Sequence, residues 1–293
     1  MASENLIEAI KILRERTGAG MMDVKKALLE NDMDLDKAAD YLRTKGIAKA
    51  AKKADRVAAE GLANVIICDS CGKAVVYEVN CETDFVARDD NFKKLVEEVG
   101  SLLLKNEPKT IEEARELTSV LFTDATVKIG EKLDLRRFQI LSKKDGETLG
   151  SYIHMGGKIA VALILDKDNK ELADNIAMHV AANNPLYISK DSIPLSVRES
   201  ETTIQIETIK NDPKYVNKPI DMIEKIVAGK VNKVLFESVL SEQTYLLDDT
   251  KTVGQVLLEN GAKVLAMARF QVGEGIEKKQ DDCSCGEMLR IER

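Results

Sequence analysis

The sequence predicts an α+β protein: a small helical domain followed by two related α+β subdomains. Three observations lead to this fold class. Residues 5–45 have helical periodicity, the chain after residue 60 contains an approximate duplication, and a segment at about 196–239 has helical periodicity that interrupts the second copy. The 293 residues suffice for about two domains, because domains usually have about 50–200 residues.

The composition limits the classes of function. A net charge of -7 argues against direct nucleic-acid binding, because contact with phosphates needs a basic surface. No apolar run approaches the roughly 18 residues of a membrane-spanning helix, and the polar N-terminus does not resemble a signal peptide. We therefore expect a cytoplasmic protein without a membrane span. Its five cysteines are not expected to form a disulfide framework.

Residues 1–46 are predicted to form a three-helix N-terminal domain. A break at residues 17–20 separates the first two helices, Asp34 can cap the third helix, and Gly46 is expected to end it. Residues 47–60 are predicted to be a basic helical linker. Its basic side chains are Lys49, Lys52, Lys53 and Arg56. They indicate either a solvated helix face or a contact with the ribosome or a nucleic acid.

The duplication defines two core subdomains, residues 61–145 and 146–279. Each copy is predicted to contain a hairpin, one or more helices and a closing strand. From the Gly-Lys turn to the next proline, the first copy takes 36 steps (72 to 108) and the second takes 28 (157 to 185). The first copy therefore carries eight additional residues, which we place at 83–90.

The second copy contains the longer insertion. From the proline to the next Thr-Val pair it takes 67 steps (185 to 252), against 18 in the first copy (108 to 126). Helical periodicity on both sides of residues 211–213 predicts a helical hairpin at about 196–239. Such an arm cannot bury both of its faces alone, so we expect it to contact a partner or a second copy of the chain. Residues 280–293 are a C-terminal tail.

The additional residues of the first copy indicate the main candidate site. The acidic stretch 80–92 follows a predicted strand, precedes a predicted helix and is expected to belong to neither. Phe85 is either exposed, where burial in a partner would contribute about 2 kcal/mol, or packed back onto its own helix. The carboxylates lack EF-hand spacing, and Asp90 or Asn91 is expected to cap the next helix.

Cysteine pairs and histidines are the other candidates for chemistry. Two short cysteine motifs occur, one with Cys68 and Cys71 and the other with Cys283 and Cys285. Four thiolates could form a structural zinc site, but we expect unpaired thiols by default. His154 lies at a predicted hairpin turn and is expected to be exposed, whereas His179 lies in a predicted helix and is expected to be packed. No catalytic triad or phosphate-binding glycine loop stands out, so we expect no enzyme and no cofactor.

Four motifs occur together in this chain, and together they resemble the bacterial elongation factor Ts family. The motifs are RERTGAGMMDVKKAL (14–28), EVNCETDFVA (78–87), GSYIH (150–154) and VGEGIEK (272–278). The resemblance covers about residues 4–279. The cysteine pairs and the tail after residue 279 depart from the family pattern.

The resemblance implies a fold and a function. The fold would comprise an N-terminal ubiquitin-associated-like bundle, two related core subdomains and a protruding helical hairpin of coiled-coil type. The function would be guanine-nucleotide exchange on elongation factor Tu, which the chain would bind in its GDP-bound and nucleotide-free forms. The resemblance also allows a homodimer of the factor within the complex.

The resemblance also assigns partner contacts. In the family, the loop matching Asp84 and Phe85 inserts between helices of the partner's G domain beside its magnesium site. The matching partner-binding positions in this chain are Thr83, Asp84, Phe85, Val86, Met21, Met22, Lys25, Ile129, Gly130 and His154. Two rival functions remain open on the residues alone: an adaptor that binds elongation factor Tu without accelerating nucleotide release, and a zinc-dependent enzyme that uses the cysteine pairs.

Overall fold

The fold combines a helical bundle with small antiparallel sheets, two of three strands and one of two, which confirms the predicted α+β class. The computed structural model describes residues 2–53, 55–215 and 219–277. No helix within these ranges is both long enough and apolar enough to cross a membrane.

Three helices form the N-terminal bundle: α1 Ala2–Thr17, α2 Met21–Glu30 and α3 Leu35–Lys52. Their buried side chains share one core and include Leu13, Val24, Leu28 and Leu42. The predicted cap at Asp34 is confirmed, because its Oδ1 accepts hydrogen bonds from the backbone N–H groups of Asp36 and Lys37, both at 3.0 Å.

The prediction that Gly46 ends the third helix is wrong. Helix α3 continues through Gly46 to Lys52. A Cβ atom at Gly46 would lie 2.2 Å from Cγ2 of Val127, so the missing side chain lets α3 approach the core. Gly18 likewise lies against the aliphatic stem of Lys128. These two glycines seat the bundle beside residues 127–128 of the core.

The first core half is a three-stranded sheet covered by helices. Its elements are β1 Glu60–Cys68, β2 Lys73–Cys81, α4 Asp84–Arg88, α5 Asp90–Asn106, α6 Ile111–Ile129 and β3 Asp134–Ser142. The strand order is β1-β2-β3, and both pairings are antiparallel. Val75, Tyr77 and Val79 on β2 pack beneath the helices. Strand β2 is therefore the central strand, and it leads directly to the candidate loop.

The second core half repeats this arrangement and contains the inserted hairpin. Its elements are β4 Thr148–His154, β5 Ile159–Leu165, α7 Lys170–Asn183, α8 Leu195–Lys210, α9 Ile220–Glu237, β6 Thr244–Tyr245, β7 Asp248–Thr252, α10 Val253–Glu259 and β8 Val264–Gln271. The main sheet has the order β4-β5-β8. Helices α8 and α9 form the predicted hairpin, which is confirmed, and they share a small apolar core that includes Ile209, Val227 and Val231.

The two sheets pack face to face, which the sequence did not predict. Small side chains fill the interface between them, including Ala63, Ala74, Ala160 and Ala162. One buried carboxylate also joins the two halves. Glu78 of β2 accepts hydrogen bonds from Nη1 of Arg136 at 3.0 Å, Nε of Arg137 at 2.6 Å and the backbone N–H of Gly273 at 2.8 Å. The core is thus one layered unit of helices, two sheets and helices.

Candidate functional site

The candidate loop contains a short helix, so the prediction that residues 80–92 belong to no element is wrong. Strand β2 extends to Cys81, α4 covers Asp84–Arg88, and α5 begins at Asp90. The expected cap at Asp90 or Asn91 is also wrong, because Asp89 caps α5. Oδ1 of Asp89 accepts from the N–H groups of Asn91 at 2.8 Å and Phe92 at 3.3 Å. The eight additional residues of the first copy therefore form the short helix α4, which lies between the end of β2 and the start of α5.

Phe85 projects from α4 into solvent. Its side chain is 80% exposed, which excludes the alternative that it packs back onto its own helix, whereas Phe92 is fully buried. Asp84 forms an ion pair with Arg88 at 2.9 Å, and both side chains are at the surface. Such exposed pairs contribute little stability, about 0–1 kcal/mol. The loop thus presents a large apolar ring that the free protein does not use for its own core.

Phe85 borders an open depression of about 460 Å³. Its lining comes from the loop, from the start of α5 and from the end of α6 with the residues that follow it. The lining residues are Thr83, Phe85, Val86, Asp89, Asn91, Lys128, Ile129 and Glu131, and the first three of these are predicted contact residues. Gly130 follows Ile129 and ends α6 in the left-handed conformation, with φ 81°. The carbonyl of Gly130 accepts a hydrogen bond from Nζ of Lys53. The structure therefore brings the predicted positions at residues 83–86 and 129–130 together.

Residues 82–83 and 131–132 hold the base of the loop. Oε2 of Glu131 accepts hydrogen bonds from the backbone N–H groups of Glu82 at 3.1 Å and Thr83 at 3.0 Å, and its Oε1 accepts from Oγ1 of Thr83 at 2.7 Å. In the reverse direction, Oε1 of Glu82 accepts from the N–H of Lys132 at 2.6 Å. We call these four residues the carboxylate clamp. Sequence reasoning missed Glu82 and Glu131, although the resemblance singled out the neighbouring residues 83 and 130.

The predicted positions on the N-terminal bundle lie on the exposed face of α2. Met21 and Met22 are 56% and 75% exposed, and Lys25 is also exposed. The seating of the bundle beside residues 127–128 puts this domain next to the end of α6, which also borders the depression. Their roles as partner contacts stay a prediction.

The two histidines differ in setting. The prediction that His154 is exposed is wrong, because β4 continues to this residue and leaves it half-buried, with its ring 6.0 Å from that of Tyr152. His154 does not line the depression beside Phe85. The prediction that His179 is packed is confirmed: Nδ1 accepts from the N–H of Leu246 at 3.2 Å, and Nε2 lies 3.0 Å from Oε1 of Gln243. Burial lowers the pKa of His179, although its hydrogen bond to Gln243 opposes this shift.

The cysteines give little support to a metal site. Cys68 and Cys71 form a disulfide at the turn between β1 and β2, so the default expectation of unpaired thiols is wrong for this pair. Cys283 and Cys285 lie outside the described residues. Within the described part of the chain, no group of three or more histidine, cysteine or carboxylate side chains could hold a metal ion. Burial raises the pKa of the free thiol of Cys81 to about 12, and the negative charge of Glu131 adds to this shift.

Comparison with known proteins identifies the family. A family model described as elongation factor TS matches residues 82–274, which include α4 with Phe85, the part of the first core half that follows β2, and the second core half. A relative from Pediococcus pentosaceus named elongation factor Ts is 47% identical over 279 residues, covering 93% of this chain and 94% of the relative. The chain belongs to the elongation factor Ts family. It is therefore a translation elongation factor by family, and the resemblance stated from its motifs is confirmed.

The family match begins at Glu82, the first residue of the carboxylate clamp, and it ends at Glu274, next to the Gly273 that donates to buried Glu78. The matched region thus contains α4 with Phe85, whereas β1 and β2 of the first core half lie before it. The high coverage of the curated relative extends the likeness into the N-terminal bundle.

Proposed function

We propose that this chain is a guanine-nucleotide exchange factor that binds elongation factor Tu and promotes the release of GDP. The loop formed by Thr83, Asp84, Phe85 and Val86 inserts into the partner near its magnesium site. The observation that carries this proposal is the exposure of Phe85 on a short helix that is capped by Thr83 and attached to a packed core. The chain makes and breaks no covalent bond, so it is not an enzyme, and the proposed activity needs no cofactor. Its place of action is the cytoplasm.

The mechanism is a thermodynamic coupling between two ligands of elongation factor Tu. A G protein holds GDP through magnesium and through backbone N–H groups around the phosphates. Insertion of Phe85 displaces the elements that hold the metal and the phosphates, and Asp84 secures the inserted loop by polar contacts. A loss of about 4 kcal/mol in nucleotide affinity corresponds to a roughly thousandfold faster release if it appears in the dissociation rate. Reciprocity then requires nucleotide to weaken the binding of the factor equally, so incoming GTP expels it.

The remaining predicted residues extend this contact. Met21, Met22 and Lys25 on α2 provide a second patch that binds the same domain of elongation factor Tu, with Ile129 and Gly130 beside the loop. Exposed methionines suit such a surface because their side chains adapt to irregular partners. Exchange by a chain with Met21 and Met22 both replaced by serine tests this patch: an unchanged KM for elongation factor Tu would remove it from the interface.

The hairpin of α8 and α9 is a proposed site for a second copy of the factor in the complex. An open depression of about 490 Å³ lies between these helices, and its lining includes Ile206, Val227 and Val231. The measured mass of the complex with elongation factor Tu tests this part of the proposal. A mass equal to one copy of each protein would exclude the homodimer.

The direct test of the function uses elongation factor Tu loaded with a fluorescent GDP. A catalytic amount of this chain, added with excess unlabelled GDP, is expected to accelerate the loss of fluorescence many-fold over the spontaneous rate. An adaptor predicts binding without acceleration, and that result would reject the exchange proposal. Stoichiometric metal analysis of the full chain tests the remaining alternative of a zinc-dependent enzyme.

A further inference from the structure

The contacts of Glu131 differ from those of an ordinary surface carboxylate. Three donors from one short segment converge on it: the N–H groups of Glu82 and Thr83 at 3.1 and 3.0 Å, and the hydroxyl of Thr83 at 2.7 Å. Hydrogen bonds to an ionised carboxylate are stronger than those between neutral groups. One side chain, 48 residues from Thr83 in sequence, therefore fixes both the backbone and the hydroxyl of that residue.

Each of the two segments of the carboxylate clamp accepts hydrogen bonds from the other. Glu82 accepts from the N–H of Lys132 at 2.6 Å and pairs with Arg56 at 3.1 Å. Nζ of Lys132 in turn donates to the carbonyl of Arg56 at 2.8 Å. The carboxylate clamp thus ties the end of β2 to the segment that follows α6.

The direction of α4 depends on this contact. A helix of five residues is far too short to be stable by itself, so its ends must be held. Its N-terminal cap is Thr83, whose hydroxyl accepts from the N–H of Val86 at 3.4 Å while donating to Glu131. Removal of Glu131 leaves the hydroxyl of Thr83 without its acceptor and two N–H groups dependent on water. Strand β2 and helix α5 keep their own contacts, because Cys81 is buried and Asp89 caps α5 separately.

We propose that Glu131 is a positioning residue for nucleotide exchange: its carboxylate holds Thr83 at the start of α4 and so fixes the direction in which Phe85 is presented to the partner. The inference rests on the proposed exchange function. Glu131 also lines the depression beside Phe85, so the support and the ring that it orients share one surface. Glu131 acts on the reaction only through the loop.

The test compares Glu131→Ala with a matched control. Glu113→Ala removes another carboxylate that accepts from a backbone N–H, that of Lys109 at 2.7 Å, at the opposite end of α6. Glu131→Ala is expected to lower kcat/KM for GDP release from elongation factor Tu about tenfold with little change in melting temperature. Glu113→Ala is expected to leave exchange unchanged. Thr83→Ala should reproduce the loss, and Thr83→Ser, which keeps the hydroxyl, should restore most of the rate.

A double variant separates positioning from general damage. If Glu131 acts only through the ring, Glu131→Ala should cost almost nothing further in a Phe85→Ala background. A full additional tenfold loss in that background would overturn the proposal, and so would a normal rate in the single variant.

Hydrogen exchange separates this proposal from the proposed function. The amides of Glu82 and Thr83 are expected to exchange at least tenfold faster in Glu131→Ala than in the wild type, whereas those of β2 are unchanged. Suppose that the wild-type chain fails to accelerate GDP release, but the amides of Glu82 and Thr83 exchange faster in Glu131→Ala. The proposed exchange function is then wrong, whereas the role of Glu131 in holding the loop is confirmed. If the protection of the amides of Glu82 and Thr83 is unchanged in Glu131→Ala, Glu131 does not hold the loop, whatever the effect of the chain on elongation factor Tu.

Discussion

Replacement of Phe85 by alanine tests the role of the exposed ring. Full burial of a phenylalanine side chain contributes about 1.5–3 kcal/mol. Because the ring is 80% exposed in the free chain, most of this free energy is still available to a partner, and we take about 2 kcal/mol as the loss in Phe85→Ala. That loss corresponds to roughly a thirtyfold reduction in kcat/KM for GDP release. The stability of the chain should change by less than about 0.5 kcal/mol, because the ring makes no core contact.

The assay for Phe85→Ala measures the release of fluorescent GDP from elongation factor Tu at several concentrations of the chain. Ile7→Ala is a control, because this isoleucine on α1 is also exposed, at 57%, and lies outside the predicted contacts. Wild-type exchange by Phe85→Ala would refute the insertion of the ring. Equal losses in Phe85→Ala and Ile7→Ala would show that exposed apolar area in general, and not this loop, causes the effect.

Three further predictions concern other positions. His154→Ala should weaken exchange less than Phe85→Ala does, by less than about tenfold, and a wild-type rate would remove His154 from the contact residues. Glu78→Gln should lower the free energy of unfolding in urea by roughly 3 kcal/mol, because it leaves Arg136 and Arg137 without their buried counterion; a change below about 0.5 kcal/mol would contradict this. The pKa of His179 is lowered in the folded chain, so the unfolded chain binds the proton first as the pH falls below about 6.5, and stability should decrease there. His179→Gln should reduce the change in the free energy of unfolding between pH 6.5 and 5. If the free energy of unfolding has the same slope against pH in His179→Gln and the wild type, another group causes the pH dependence.

Features that depend on local periodicity could be predicted from the sequence. The helices of the N-terminal bundle and of the α8–α9 hairpin follow from apolar residues at helical spacing, and the two sheets follow from the duplication. Gly46 shows the limit of this reasoning. A glycine within a helical pattern predicts an end, but here it allows close approach to Val127, which is 81 residues away in sequence.

Features that depend on distant contacts could not be predicted. The alanines between the sheets look like ordinary strand residues until the two halves are placed face to face. Helix α4 is too short for periodicity to reveal, and its start is fixed by capping from Thr83 and by Glu131, which lies just after the C-terminal end of α6. The sequence therefore indicated which loop to consider, and the structure added the residues that hold it.

The central claim is that this chain and GDP weaken each other's binding to elongation factor Tu. The most direct test measures the dissociation constant of the chain for elongation factor Tu with and without bound GDP, by calorimetry, in the wild type and in Phe85→Ala. We predict that the wild type binds the nucleotide-free form roughly a thousandfold more tightly, and that Phe85→Ala narrows this difference by about thirtyfold. Equal affinity of the wild type for the two forms would contradict the account.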